Sequence, residues 1–362
     1  MLPVDVYINR RQAYLVLIDN RYGLDKMLKI NHIYLENHHI STTQVGNAEL
    51  LDQFRRDVTR GLLSQPKRLD AKYFYDENGD ALFQAIMKSP DYYLTDCELE
   101  IFKDRTAQLA QLLHIDQGPI ELIELGAGDA SKSIHLLRYL ANKQIRFRYI
   151  PIDISAHILR VLSQELSQQI PGIQIQPETG EYFDSLHRVT AKSTCRKAVL
   201  FLGSNIGNME KNQAAQFLRR LHQMLQPGDF ALIGFDLKKN PQTILRAYQD
   251  RAGLTSAFNL NLLQRINREL GADFEVKKFQ HFQNYDPLSG ACRSFLISVD
   301  DQLVHLNGIS IPFSANEPID MEISQKFSHR DISDLAFRSG FRRVGALYDR
   351  KQWFVDEVWR AK

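Results

Sequence analysis

The chain has 362 residues, 44% of them hydrophobic and 24% charged, as expected of a globular protein of about two domains. Its formal charge of +2 is the small excess of 45 basic over 43 acidic residues, which gives no ground for a nucleic-acid or anionic-membrane partner. Three widely spaced cysteines, Cys97, Cys195 and Cys292, lack any metal-binding spacing, so a reducing compartment and bystander thiols are expected.

No run of about 18 apolar residues occurs, so no membrane span is expected. The start, Met1-Leu2-Pro3-Val4-Asp5-Val6, lacks the basic head and apolar core of a secretory signal, which points to a cytoplasmic protein. Residues 1–41 read as an extension outside the main fold. His32, His38 and His39 lie there without a fourth ligand at sensible spacing, so no metal is expected.

Residues 47–63 carry a helical pattern in Leu50, Leu51, Phe54, Val58 and Leu62. Lys72-Tyr73-Phe74-Tyr75-Asp76 follows, then an expected turn at Asn78-Gly79 and a helix with Leu82, Phe83, Ile86 and Met87 on one face. Ser89-Pro90 stops it, and Thr95 or Asp96 is expected to cap the next helix. Tyrosines are dense here: Tyr73, Tyr75, Tyr92 and Tyr93. They serve either as core aromatics with bonded hydroxyls or as a wall around a small polar or cationic ligand.

Residues 120–132 form the strongest local signal. The β-type run Ile120-Glu121-Leu122-Ile123-Glu124-Leu125 breaks into Gly126-Ala127-Gly128, and a helical pattern follows in Ile134, Leu137 and Leu140. A strand, a glycine turn and a helix start are the opening of a nucleotide-binding α/β unit, although the same turn also serves purely structural ends. A dinucleotide loop has a third glycine where this chain has Ser131. The turn therefore suits an adenosine ligand without phosphates, of which S-adenosylmethionine (SAM) is the common example.

A second strand, residues 147–153, ends in Asp153, placed to accept both ribose hydroxyls. Residues 173–177 read as a short strand, with Glu181 and Tyr182 beyond its end, suited to an adenine's amino group and ring. Residues 198–203 read as a buried strand opening into Ser204-Asn205-Ile206-Gly207-Asn208, and residues 230–236 as a further strand. Strands alternating with helices give a mostly parallel sheet with ligand loops at the strands' carboxyl ends. Residues 241–282 turn helical; residues 293–299, 303–311 and 321–327 look like strands. A final helix leads to an antiparallel hairpin around Asp349-Arg350-Lys351 that closes the sheet.

Several stretches together carry a resemblance to one family. They are Lys72-Tyr73-Phe74-Tyr75-Asp76, Pro90-Asp91-Tyr92-Tyr93-Leu94-Thr95, Glu124-Leu125-Gly126-Ala127-Gly128, Leu202-Gly203-Ser204-Asn205-Ile206-Gly207-Asn208 and Glu322-Ile323-Ser324-Gln325-Lys326-Phe327. Arg246-Ala247-Tyr248, Phe258-Asn259 and Ile266-Asn267-Arg268-Glu269-Leu270 add to them. From about residue 42 onward the chain resembles the SAM-dependent histidine Nα-methyltransferases of ergothioneine biosynthesis.

The resemblance implies an α/β fold: a Rossmann-like class I methyltransferase sheet, mostly parallel with an antiparallel last strand, plus a second α+β substrate-binding domain. It implies residues 42–95 and 240–326 for the substrate domain, and 96–239 and 327–362 for the SAM domain. Gly126, Gly128 and Lys132 would meet the cofactor's methionyl part, Asp153 its ribose, and Glu181 with Tyr182 its adenine. Asn208 and Tyr248 would hold the substrate carboxylate, and Tyr92, Glu322 and Ser324 the imidazole. Tyr75, Phe83 and Gly203 would surround the amine as it is methylated through to the trimethylated betaine. The implied protein is a monomer acting on a small amino acid.

The chain departs from the family pattern in Glu181-Tyr182 for Asp-Phe, in Asn205 for a small hydroxyl residue, and in Ser294 for methionine. A same-family enzyme acting on tryptophan would have no use for Glu322 and Ser324. A nicotinamide-dependent oxidoreductase would need a pyrophosphate loop, and a non-catalytic binding protein would not need Asn208, Tyr248 and Glu322 together.

Overall fold

The computed structural model describes residues 42–191 and 193–362, so the readings of residues 1–41 and of their histidines lie outside the described residues. The elements begin with α1 (Thr42–Leu62), β1 (Lys67–Arg68), a 3-10 turn at Ala71–Phe74, α2 (Glu77–Met87), α3 (Tyr93–Asp104) and α4 (Thr106–Leu112). Strands and helices then alternate through β2 (Ile120–Leu125), α5 (Ser133–Asn142), β3 (Phe147–Asp153), α6 (Ala156–Gln169) and β4 (Glu178–Thr179). The alternation continues with α7 (Tyr182–Thr190), β5 (Arg196–Phe201), a 3-10 helix at Asn205–Asn208, α8 (Lys211–Gln223) and β6 (Phe230–Asp236). Helices α9 (Pro241–Tyr248) and α10 (Leu254–Leu270) lead to β7 (Phe279–Tyr285), β8 (Ala291–Ser298), β9 (Gln302–Leu306), β10 (Ile309–Phe313) and β11 (Pro318–Gln325). The last elements are α11 (His329–Ser339), β12 (Phe341–Tyr348) and β13 (Phe354–Ala361).

Two multi-stranded sheets, with a separate two-stranded β9-β10 pair, organise residues Leu51–Lys362. The larger has the order β12-β13-β6-β5-β2-β3-β4, with β2 to β6 parallel and β13 antiparallel to β6. The expected parallel sheet with an antiparallel closing hairpin is present. Every residue of β2 is buried, as a central strand covered on both faces requires. One face packs on α3, α4 and α5 through Leu94, Ile101, Leu109, Leu136 and Leu140, and the other on α7, α8 and α11 through Leu186, Leu218 and Leu335. The smaller sheet has the order β1-β11-β8-β7. Its core joins Phe54, Val58, Phe74 and Ile86 to Phe258, Leu262, Ile266, Leu296 and Met321.

Several local expectations change. Asn78-Gly79 is not a turn before α2 but part of its first turn, because the Asp76 carboxylate caps the helix by accepting the Gly79 amide at 2.7 Å. Helix α3 starts at Tyr93, ahead of Thr95 and Asp96, with no side-chain cap. Residues 173–177 make a single bridge, Tyr149 with Ile175, before the short β4. Residues 303–311 are a hairpin, since Asn307 and Gly308 both take positive φ (51° and 77°) and reverse the chain. The helical stretch ends at Leu270, where Gly271 takes φ +70°, and β7 follows.

Candidate active site

The strand order reverses between β2 and β5, where successive connections run to opposite sides of the sheet. Loops at the carboxyl ends of those two strands flank the crevice in which open α/β sheets bind ligands. Both loops are glycine turns in the left-handed region, Gly126 at φ +70° and Gly203 at φ +72°. A Cβ on Gly126 would lie 2.8 Å from the Tyr182 hydroxyl and 3.2 Å from the Asn205 amide. One on Gly203 would lie 3.3 Å from the Lys132 ammonium. The structure thus brings Gly126, Tyr182, Gly203 and Lys132 around one crevice.

Asp153, last residue of β3, joins them by accepting the Gly128 amide at 3.2 Å and the Ser155 amide at 3.0 Å. Glu181 and Tyr182 stand at the start of α7; the Glu181 side chain is exposed and makes no hydrogen bond among the described residues. Lys132 is spent on a buried partner, with its ammonium 2.5 Å from a Glu98 oxygen. The Lys132 charge is therefore already matched within the protein.

Glu98 is the residue that sequence reasoning missed. It is fully buried and accepts the Gly203 amide at 2.8 and 2.9 Å, one distance to each oxygen. Gly234, in the middle of β6, makes room for it: a Cβ there would collide with the Glu98 carboxylate. Asp356 of β13 is fully buried beside it, and its carboxyl is held well above the usual range by burial and by the Glu98 charge. A signal for Glu98 did exist. It falls within the apolar stripe of α3 set by Tyr93, Leu94, Cys97, Ile101 and Phe102, where an unpaired carboxylate would be costly.

The second group of expected residues gathers on the smaller sheet. Glu322 and Ser324, two apart on β11, share one face, and the ladder places them opposite Ser294 and Cys292. The Tyr248 hydroxyl of α9 lies 2.7 Å from Ser324 Oγ, and Tyr92 meets Tyr248 edge-on at 6.1 Å. Burial pushes the Glu322 carboxyl up to about 7, with Lys326 pulling it the other way. Tyr75 packs edge-on against Phe83 and Phe258, each with ring centroids 5.6 Å away. Although Tyr75 is 38% exposed as a residue, desolvation of its hydroxyl, then the nearby Glu322, Tyr92 and Tyr182, keep it protonated well above its ordinary range. Tyr75 therefore feels both groups.

The 3-10 helix Asn205–Asn208 links them. Asn205 reaches the Gly126 turn, while Gly207 packs against the β11 backbone at Gln325. Asn208, at its end, is exposed and makes no side-chain hydrogen bond among the described residues. Ser294, one of the noted departures, donates to Gln283 at 2.5 Å and lies 3.2 Å from a His281 ring nitrogen, which makes the row beside Glu322 polar.

A family model described as "Histidine-specific methyltransferase, SAM-dependent" matches residues 54–361. A histidine N-alpha-methyltransferase of Mycolicibacterium smegmatis is 35% identical over 84% of this chain and 92% of its own length. The ergothioneine biosynthesis protein 1 of Neurospora crassa is 29% identical over 83% of this chain, which corresponds to 35% of that longer protein. A 4-dimethylallyltryptophan N-methyltransferase of Claviceps fusiformis is 29% identical over 58% of this chain and 60% of its own. With the glycine turns at the sheet's switch point, the paired groups on the two sheets and a match across residues 54–361, the chain belongs to the SAM-dependent histidine-specific methyltransferase family.

Proposed function

We propose that this enzyme methylates the α-amino nitrogen of L-histidine, through to the trimethylated betaine, as the first step of an ergothioneine-type pathway. The observation that carries this reading is Glu322, a partly buried carboxylate with no protein donor of its own among the described residues, beside the Tyr248–Ser324 hydroxyl pair. An imidazole offers it an N–H. A side chain lacking that donor would leave the carboxylate unpaired, at about 1–3 kcal/mol for an unpaired buried polar group.

In this reading, residues 96–239 and 327–362 hold SAM, which supplies an electrophilic methyl group. Gly126 and Gly128 let the backbone approach it, Lys132 lies at its methionyl end, Asp153 takes the ribose hydroxyls, and Glu181 with Tyr182 takes the adenine. Residues 42–95 and 240–326 hold the amino acid, its carboxylate on Asn208 and Tyr248, its ring on Tyr92, Glu322 and Ser324. Transfer to nitrogen is an in-line displacement, so these side chains act chiefly by positioning a neutral amine. The Gly203 amide is already bonded to Glu98, which leaves its carbonyl to accept an amine N–H. Tyr75 stays protonated and is not the base; the amine proton leaves to water. As methyls accumulate, the ring faces of Tyr75 and Phe83 favour the growing cationic character of the nitrogen.

Among the described residues no helix is long and apolar enough to cross a membrane. We further propose a cytoplasmic monomer acting on a free amino acid. The test is the mass of the product formed with labelled SAM and a panel of amino acids. Trimethylated histidine is expected, and equal or better turnover of tryptophan would remove the substrate assignment.

A further inference from the structure

Lys326 follows β11 directly and is fully buried, as is Asp236 at the end of β6. The Lys326 ammonium donates to Asp236 Oδ2 at 2.7 Å, to the Tyr248 hydroxyl at 2.7 Å and to Ser324 Oγ at 2.8 Å. An ammonium has three N–H groups, so all of them are used. Asp236 is in turn held by Lys239 and by the Tyr93 hydroxyl at 2.8 Å. Burial alone would raise the Asp236 carboxyl, but Lys239 and Lys326 bring it below its ordinary value, so the carboxylate stays ionised. Asp236 also belongs to the sheet junction, where its carbonyl accepts the Phe327 amide at 2.9 Å.

The count of protons has a consequence for the ligand. Tyr248 and Ser324 each accept from Lys326, and one of the two donates to the other across 2.7 Å. Two hydroxyl protons minus that shared one leaves a single O–H, with no remaining protein acceptor among the described residues, to point outward. From this we infer that Lys326 is a positioning residue: by occupying an acceptor site on each hydroxyl it fixes the Tyr248–Ser324 pair as the donor of a single hydrogen bond to the bound amino acid. A pair without that ammonium is free to turn and present a lone pair instead. This inference rests on the placement of Tyr248 and Ser324 at the substrate.

The test is a mutant cycle in the full chain, run with whichever amino acid the wild type methylates best, so that a wrong substrate assignment leaves the cycle decisive. Lys326→Met is expected to raise the KM for that amino acid at least tenfold, with SAM affinity within twofold of wild type. In a Tyr248→Phe, Ser324→Ala background the same change is expected to move KM less than twofold. An equal further loss in that background, or an unchanged KM in the single variant, overturns the proposal. If Lys326→Met fails to fold, the paired change Lys326→Met with Asp236→Asn removes both buried charges and is read by the same criteria, with circular dichroism as the folding control.

Discussion

The Glu98 carboxylate receives the Gly203 amide on both oxygens, at 2.8 and 2.9 Å, from a position 105 residues earlier in the chain. The contact holds the left-handed Gly203 turn in place and anchors Lys132 from the neighbouring loop. Glu98→Ala would leave the Lys132 charge and the Gly203 amide without their partner. A loss of about 3–5 kcal/mol is expected, as for other broken buried pairs. Thermal melts check it, and an Ala variant as stable as the wild type would refute the role.

Gly126 stands at φ +70° with the Tyr182 hydroxyl 2.8 Å from any Cβ. Gly126→Ala therefore meets both a backbone cost of about 1–2 kcal/mol and a crowded cofactor turn. SAM affinity should fall by about tenfold or more, the equivalent of about 1.4 kcal/mol. Calorimetric titration of SAM into the variant measures it; unchanged affinity would show that the turn does not approach the cofactor.

Asp153 offers the same readout from the ribose side. Asp153→Ala removes the acceptor of the Gly128 amide at 3.2 Å together with the proposed ribose contact. SAM binding should weaken by about 1–3 kcal/mol. The KM for the amino acid, at saturating SAM, should stay within twofold. A change confined to the amino acid would relocate Asp153 to the other pocket.

Glu322 gives a pH signature. Its carboxyl titrates at about 7, against an ordinary 4.5, so the ionised acceptor fills in as pH rises through neutrality. The KM for histidine should fall between about pH 6 and pH 8 in the wild type, more steeply than in Glu322→Gln, which carries only the substrate's own imidazole titration. Stability runs the opposite way. A carboxyl whose folded value lies above its unfolded one favours the protonated form, and stability is lost as pH rises from 4.5 through 7. Glu322→Gln should thus be more stable than wild type at pH 8, by about 1–3 kcal/mol, while binding histidine less well. Denaturant melts at pH 5 and pH 8 decide it.

Much of this was legible in the chain itself. Alternating apolar runs and amphipathic helices determine a parallel sheet, because buried strands and crossover helices leave few other packings. The Gly126-Ala127-Gly128 turn and Asp153 could be placed because they sit at strand ends, which local pattern marks. Glu322 and Ser324 could be placed on one face because strand side chains alternate. The Asn307-Gly308 hairpin was missed, because the apolar run around it reads as one strand.

The tertiary structure decided the rest. Periodicity shows that Glu98 lies on the buried stripe of α3, but not that Gly203, Lys132 and Asp356 would meet it there. Nor does local pattern show that Lys326 on one sheet would be neutralised by Asp236 on the other, with Tyr248 and Ser324, 76 residues apart, sharing its protons. Buried charges are tolerated only with partners, and which partners arrive depends on strand order and sheet packing rather than on neighbours in sequence. The glycine turn and its ribose acid belong to local pattern; the charge networks beneath both halves of the site belong to the fold.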